Sequence, residues 1–206
     1  RRWQRGGLSF LGAFQDRMVS EAANDTAAEF GRGKIRDQDQ DTKVAQRLDK
    51  AGIKPGDRVA TMAWNTWRHL ESWYGILGIG AIYHTVNPRL FPEQIAWIIN
   101  HAEDRMLIVD LTFLPILEKL ADKLKTIERY VVLTDAAHMP ATTLTNAVPY
   151  EEWIGEADGD FAWKSFDENT AAGMCYTSGT TGNPKGVLYS HRSNVLHAFM
   201  ASLPDA

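Results

Sequence analysis

Tyr176-Thr177-Ser178-Gly179-Thr180-Thr181-Gly182-Asn183-Pro184-Lys185-Gly186 is the stretch on which the reading of this chain turns. Residues 177–182 are all hydroxyl or glycine residues, and a lysine follows three places later. Glycine lets the backbone approach a ligand closely and adopt positive φ. Successive backbone N–H groups in such a loop form an anion-binding concavity. The serine and threonine hydroxyls add donors, and Lys185 adds a positive charge. This is chemistry suited to holding a polyphosphate. It is not a P-loop, which requires G-x-x-x-x-G-K-[ST]; here the lysine precedes its glycine. The dinucleotide pattern G-x-G-x-x-G fails as well. A plain Gly/Thr surface loop would rarely carry Pro184-Lys185-Gly186 followed at once by the apolar Val187-Leu188-Tyr189.

Outward from this run, the chain alternates between two periodicities. Residues 59–64 read as a strand, bounded by Pro55-Gly56-Asp57. Residues 67–77 carry apolar side chains at 67, 70, 73, 74 and 77, a helical spacing, and Gly78-Ile79-Gly80 ends that helix. Residues 81–86 are a second strand. Residues 92–100 are a helix with proline in its first turn, where a missing N–H costs nothing. Residues 106–110, 113–124 and 130–133 read as strand, helix and strand. A looser stretch with a short helix at 150–154 precedes a strand at 172–177, and 193–202 reads as a last helix. The expected fold class is α/β, with βαβ units and a largely parallel sheet covered by helices. Residues 172–187 are expected to run strand–loop–strand, with the glycine-rich loop exposed and mobile.

Bulk properties narrow the function. The chain has 206 residues, 44% of them hydrophobic, enough for a sizeable core. A net charge of −4 with no long basic run argues against nucleic-acid binding through phosphate neutralisation. The single cysteine, Cys175, excludes an internal disulfide and points to a reducing, cytoplasmic compartment. It reads as a small hydrophobe in the strand before the loop. No stretch approaches the roughly 18 to 20 apolar residues that span a bilayer, which leaves only peripheral membrane contact open. The apolar patch at 8–14 lacks a small-residue cleavage site, so a signal peptide is not expected. The chain does not begin with methionine and stops abruptly at Ala206, which reads as a fragment.

Residues 176–186 match the signature loop of the AMP-forming adenylate synthetases, the superfamily of acyl-CoA synthetases, luciferases and peptide-synthetase adenylation domains. Similarity extends upstream through Gly52-Ile53-Lys54-Pro55-Gly56-Asp57, Trp64-Asn65 and His84-Thr85-Val86-Asn87-Pro88-Arg89-Leu90, and through residues 95–103. These resemble the branch that activates medium- and long-chain fatty acids. The resemblance covers roughly residues 45–203. It implies that residues 45–206 are the N-terminal α/β part of an AMP-binding domain, cut after the phosphate loop. Residues 1–44 form a divergent segment, where Gly31-Arg32-Gly33-Lys34-Ile35-Arg36-Asp37-Gln38-Asp39-Gln40-Asp41 reads as a solvated loop.

The implied reaction joins a fatty acid to CoA through an acyl-adenylate, with ATP, Mg2+ and CoA as partners and no nucleic acid. Within the run, Tyr176, Thr177, Ser178, Gly179, Thr180, Thr181, Gly182, Asn183, Pro184, Lys185 and Gly186 are the implied nucleotide-binding residues. The resemblance assigns the Thr177 hydroxyl to magnesium and gives Lys185 the catalytic role of counter-charge to the phosphates. It also places an aromatic-Gly-x-Thr-Glu motif, the ribose-binding aspartate and a catalytic lysine beyond residue 206. An adenylating enzyme without CoA transfer, or a non-catalytic remnant, remain as alternatives.

Other candidates read as structural. His84, His101 and His138 lack metal-ligand spacing, and His191 reads as a helix-start or packing residue. Gly75-x-x-Gly78-x-Gly80 reads as close packing and helix termination. Trp64, Trp67, Trp73 and Trp97 read as core or subdomain contacts. Asp37, Asp39 and Asp41 lack the glycine and closing glutamate of a calcium loop.

Overall fold

The computed structural model describes residues 39–177 and 183–202. The chain divides after Gln40 into two units, and the architecture below is that of the second, Asp41–Ala206, with the first turn of the helix that leads into it. Seven strands form one sheet: β1 (Arg58–Met62), β2 (Ile82–Thr85), β3 (Asp104–Val109), β4 (Arg129–Val132), β5 (Ala147–Pro149), β6 (Ala171–Thr177) and β7 (Lys185–Ser190). Their order across the sheet is β5-β4-β3-β1-β2-β6-β7. Every pairing is parallel except that of β6 with β7, which is antiparallel.

The central strands explain why both faces must be covered. In β3, Met106 and Ile108 join one apolar cluster while Leu107 and Val109 join the other. In and just after β4, Val131 and Leu133 alternate with Tyr130 and Val132 in the same way. Strands buried on both faces read as near-continuous apolar runs because each face needs its own layer. One layer is made of α1 (Asp39–Lys50), α2 (Trp67–Gly78) and α5 (Tyr150–Gly155). The other is made of α3 (Pro92–Ala102) and α4 (Leu114–Leu120). A further helix, α6 (His191–Ala201), follows β7 and buries none of its residues.

Local sequence sets each helix. α3 starts on Pro92 and is closed at its head by Gln94, whose Oε1 accepts the Phe91 N–H at 3.3 Å. It buries Ile95, Ile98, Ile99 and Ala102, one stripe of a 3.6-residue period. α2 is capped by Thr66, whose hydroxyl accepts from the His69 N–H at 3.4 Å. It ends where Gly80 takes φ +77°, a conformation that glycine enters without a Cβ penalty. A Cβ at Gly75 would overlap Val44, and one at Gly78 would overlap Trp163. The three glycines therefore serve close packing and termination, as expected.

Several expectations need correction. Residues 39–41 do not belong to a solvated loop: they open α1, and Asp41 is buried. Val44, Ala45 and Leu48 draw that helix onto the sheet, a short amphipathic stripe hidden among charged residues. Residues 113–124 are not one helix but α4 flanked by 3-10 turns at Leu111–Phe113 and Ala121–Lys123. The three-residue edge strand β5 falls in the stretch read as irregular. Among the described tryptophans, Trp64 and Trp67 are 49% and 37% exposed, and the fully buried one is Trp153. Strand β1 also stops at Met62, short of Trp64.

His69, on α2, gives a pH dependence. It is buried, its Nδ1 lies 3.2 Å from the Trp64 carbonyl, and burial holds its pKa below the usual imidazole value. Burial lowers His191 in the same sense. The unfolded imidazole protonates near 6.5, so the unfolded state takes up the proton first. The stability that comes from keeping these rings neutral is present above about pH 6.5 and is lost as pH falls below it. Urea titrations should show lower stability at pH 5.5 than at pH 7.5, with His69→Gln reducing the difference. An unchanged pH dependence in that variant would rule His69 out as the source.

Candidate functional site

Crossover direction creates a crevice. The chain leaves β1 through α2 on one face and leaves β2 through α3 on the other. In open α/β sheets, ligands bind outside the carboxyl ends of strands where connections diverge in this way. Next to this crevice, between the carboxyl ends of β2 and β6, an open cleft of ≈ 220 Å³ is lined by Thr85, Val86 and Asn87 after β2, Leu90 and Ile98 by α3, and Cys175 and Tyr176 on β6.

The signature run begins at this edge. β6 delivers Tyr176 and Thr177, and β7 returns from Lys185. Across the hairpin Thr177 faces Lys185, Tyr176 faces Gly186 and Cys175 faces Val187. Thr177 and Lys185 are exposed, and the Thr177 hydroxyl donates to the Lys185 carbonyl at 3.5 Å. Lys185 is thus the first residue of a strand rather than part of the loop proper. Asn183 and Pro184 precede it, and Gly186 is its neighbour in β7. Ser178, Gly179, Thr180, Thr181 and Gly182 lie outside the described residues. The expected mobility of the loop falls on the same residues.

Small and large residues are matched across the hairpin. A Cβ built at Gly186 would sit 3.2 Å from Cζ and 3.4 Å from the hydroxyl of Tyr176. The ring of Tyr176 therefore lies over Gly186. Its hydroxyl is 2.6 Å from Nδ1 of His101 on α3, and His101 stacks on Trp97 with ring centres 4.4 Å apart. Cys175 lies on β6, half-buried, with Sγ 3.3 Å from the Thr85 hydroxyl.

Behind Tyr176 lies a pair that sequence reading passed over. His84 on β2 and Asp104 at the head of β3 are both fully buried, with Nδ1 and Oδ2 2.7 Å apart. The His84 ring centre is 5.1 Å from that of Tyr176. Burial pushes the Asp104 carboxyl up, and the hydrogen bond and charge of His84 oppose that shift. Burial and the Asp104 charge push the Tyr176 hydroxyl up. A signal was available: His84 and Asp104 are polar residues in short strands whose neighbours are mostly buried. His138, by contrast, is an exposed residue paired with Asp135. His191 opens α6 beside Phe166, and the capping oxygen comes from Ser190.

Among the described residues no cluster of three or more His, Cys, Asp or Glu side chains could hold a metal ion. No helix among them is long and apolar enough to cross a membrane.

Comparison with known proteins agrees with this geometry. The profile of the AMP-binding enzyme family matches residues 38–205. The chain is 50% identical over 167 residues to the 3-methylmercaptopropionyl-CoA ligase of Ruegeria pomeroyi, covering 81% of this chain and 31% of that protein. It is 48% identical over 163 residues to the medium-chain-fatty-acid–CoA ligase of Ectopseudomonas oleovorans, covering 79% and 30%. The crystal structure of the anthranilate CoA ligase AuaEII with anthranoyl-AMP superimposes with a TM-score of 0.71 at 26% identity, over 78% of this chain and 30% of that one. The chain thus spans about three tenths of the length of the curated relatives it matches. By profile, identity and fold, it belongs to the AMP-binding enzyme family, among relatives that are acid–thiol ligases.

Proposed function

We propose that this chain supplies the phosphate-binding part of an enzyme that activates a fatty acid. In the first half-reaction a carboxylate oxygen attacks the α-phosphorus of ATP, giving acyl-adenylate and releasing pyrophosphate. In the second, the CoA thiol attacks the acyl carbon, loses its proton and expels AMP to give the thioester. The observation that carries this reading is the β6–β7 hairpin. It sets Thr177 against Lys185 at the carboxyl edge of a parallel sheet, in a chain of the AMP-binding family.

Roles follow from chemistry. Lys185 meets the charge on the departing phosphates, and the run between it and Thr177 supplies hydroxyl and N–H donors. Such residues act mainly by positioning and by charge stabilisation. Mg2+ prefers hard oxygen ligands and shares them with substrate phosphates. The exposed Thr177 hydroxyl fits that role, and the ion would neutralise phosphate charge. A cytoplasmic location belongs to the same reading, supported by a single half-buried thiol.

Two acids compete as substrate. Similarity to the medium-chain ligase supports a fatty acid, and 50% identity to the methylmercaptopropionyl-CoA ligase supports a short thioether acid. The test is acid-dependent exchange of labelled pyrophosphate into ATP, run with both acid classes on a longer protein carrying this chain. Exchange with fatty acids of medium or greater length is expected, and exchange with neither class would overturn the reading. The 206-residue chain alone should give no sustained thioester formation, since it spans so little of its relatives. Turnover by the chain alone would refute that expectation.

A further inference from the structure

We propose that His84, Asp104 and His101 are positioning residues whose common object is Tyr176, and that they fix the base of the hairpin from which the phosphate-binding run departs. The inference rests on the functional reading above for its purpose, though not for its geometry.

Away from the open cleft that it lines, Tyr176 is held by residues of β2, β7 and α3. Gly186 leaves room for its ring, which an added Cβ would crowd at 3.2 Å. The His84 ring lies on it at 5.1 Å, tilted by 48°. Trp97 meets it edge-on at 6.1 Å and 89°, and His101 holds the hydroxyl at 2.6 Å. His101 is in turn fixed by stacking on Trp97, nearly parallel at 19°. The next residue along the chain is Thr177, where the run begins. An angular error at Tyr176 is passed directly to Thr177 through one peptide bond, whose planarity leaves only φ and ψ to absorb it.

The buried pair has no other visible task. Nothing in packing requires a histidine and an aspartate at two fully buried positions. Apolar residues of the same size would fill those positions without the cost of burying polar groups. What the hydrogen bond adds is direction: Nδ1 aimed at Asp104 sets the plane of the His84 ring. That plane is the surface on which Tyr176 rests. β1 contributes Arg58, whose charge draws on both Asp104 and Tyr176. Its guanidinium is anchored on the Ala102 carbonyl at 2.5 Å and Glu103 at 2.6 Å, the end of α3. His84 of β2 and Trp97 and His101 of α3 therefore meet at one aromatic ring on β6, with Asp104 of β3 behind His84.

The test is amide hydrogen exchange, resolved by residue, on the 206-residue chain. Variants are Tyr176→Phe, His101→Leu, His101→Gln and Asp104→Asn. Tyr176→Phe and His101→Leu each remove one side of a single hydrogen bond and keep the bulk. Exchange at residues 175–177 and 185–187 should rise roughly tenfold, while Ala60, Leu107 and Val131 stay unchanged. Asp104→Asn, which leaves the His84 ring only a weaker, uncharged acceptor, should act at the same amides to a smaller extent. His101→Gln, which can still pair with the hydroxyl, should restore protection. A merely structural role would move all amides together, and that result would overturn the proposal. So would a hairpin indifferent to all four changes. Pyrophosphate exchange in a longer protein provides the second arm. There Tyr176→Phe should raise the KM for ATP more than it lowers kcat. Absence of any wild-type exchange would overturn the functional reading while the bracing is judged by the amides. Wild-type activity with an unmoved KM would refute the link from the brace to phosphate binding.

Discussion

Lys185→Ala, made in a longer protein carrying this chain, should slow adenylate formation on the order of 10²-fold or more, with thioester formation from supplied acyl-adenylate nearly unchanged. Removal of one preorganised charge-stabilising contact in a transition state costs about that much. The asymmetry follows from where the contact falls. Pyrophosphate departs in the first half-reaction and is absent from the second. Thr177→Ala should show the same asymmetry, because its hydroxyl faces Lys185 across the hairpin and serves the same phosphates or their ion. The double variant should lose less than the sum of the two single losses in free energy, since both groups act on one leaving group. Stopped-assay rates for the two half-reactions, measured separately, decide the matter. Equal losses in both would remove the assignment of these residues to the leaving phosphates.

Asp104→Ala should destabilise the fold by about 1–3 kcal/mol, the usual cost of leaving a buried polar group without its hydrogen-bond partner. The cause is the group left behind. His84 would be fully buried, its Nδ1 without the carboxylate 2.7 Å away. Replacing both residues by apolar ones of similar volume should recover most of the loss, because the desolvation cost then disappears together with the attraction. Urea unfolding of the single and double variants measures both effects. A single-variant loss below about 1 kcal/mol would show that the pair is no more than a surface-grade interaction.

Much of this architecture could be read from the residues because local and global signals agree. The strands around Ala60, Ile108 and Val131 alternate correctly, and α3 carries proline at its head and an isoleucine stripe along its buried face. The return into the sheet through Val187-Leu188-Tyr189 followed from β-prone residues after a proline turn, and the structure makes it antiparallel. Failures came where tertiary packing outweighed composition. α1 is rich in Asp, Gln and Lys and is secured by three buried apolar residues against the sheet, a stripe too narrow to stand out. β5 has three residues and owes its pairing to β4. The proposed phosphate-binding run was visible in the sequence as one contiguous motif. Its support was not: Tyr176, His101, His84 and Asp104 come from four separate elements, and no spacing along the chain records their meeting.

The position of β6 carries a consequence for how the molecule is built. Thr85 and Cys175, register partners in β2 and β6, are 90 residues apart, whereas β2 follows β1 after one helix. Closing a loop of that length costs about 4 kcal/mol in chain entropy, so β6 is the strand that joins late. During synthesis, at about 5–20 residues per second, five strands can associate before β6 emerges. For roughly 5 to 20 s the outer edge of β2 offers unpaired N–H and C=O groups to any passing strand. The edge that will receive the β6–β7 hairpin is therefore also the one where nascent chains compete with one another.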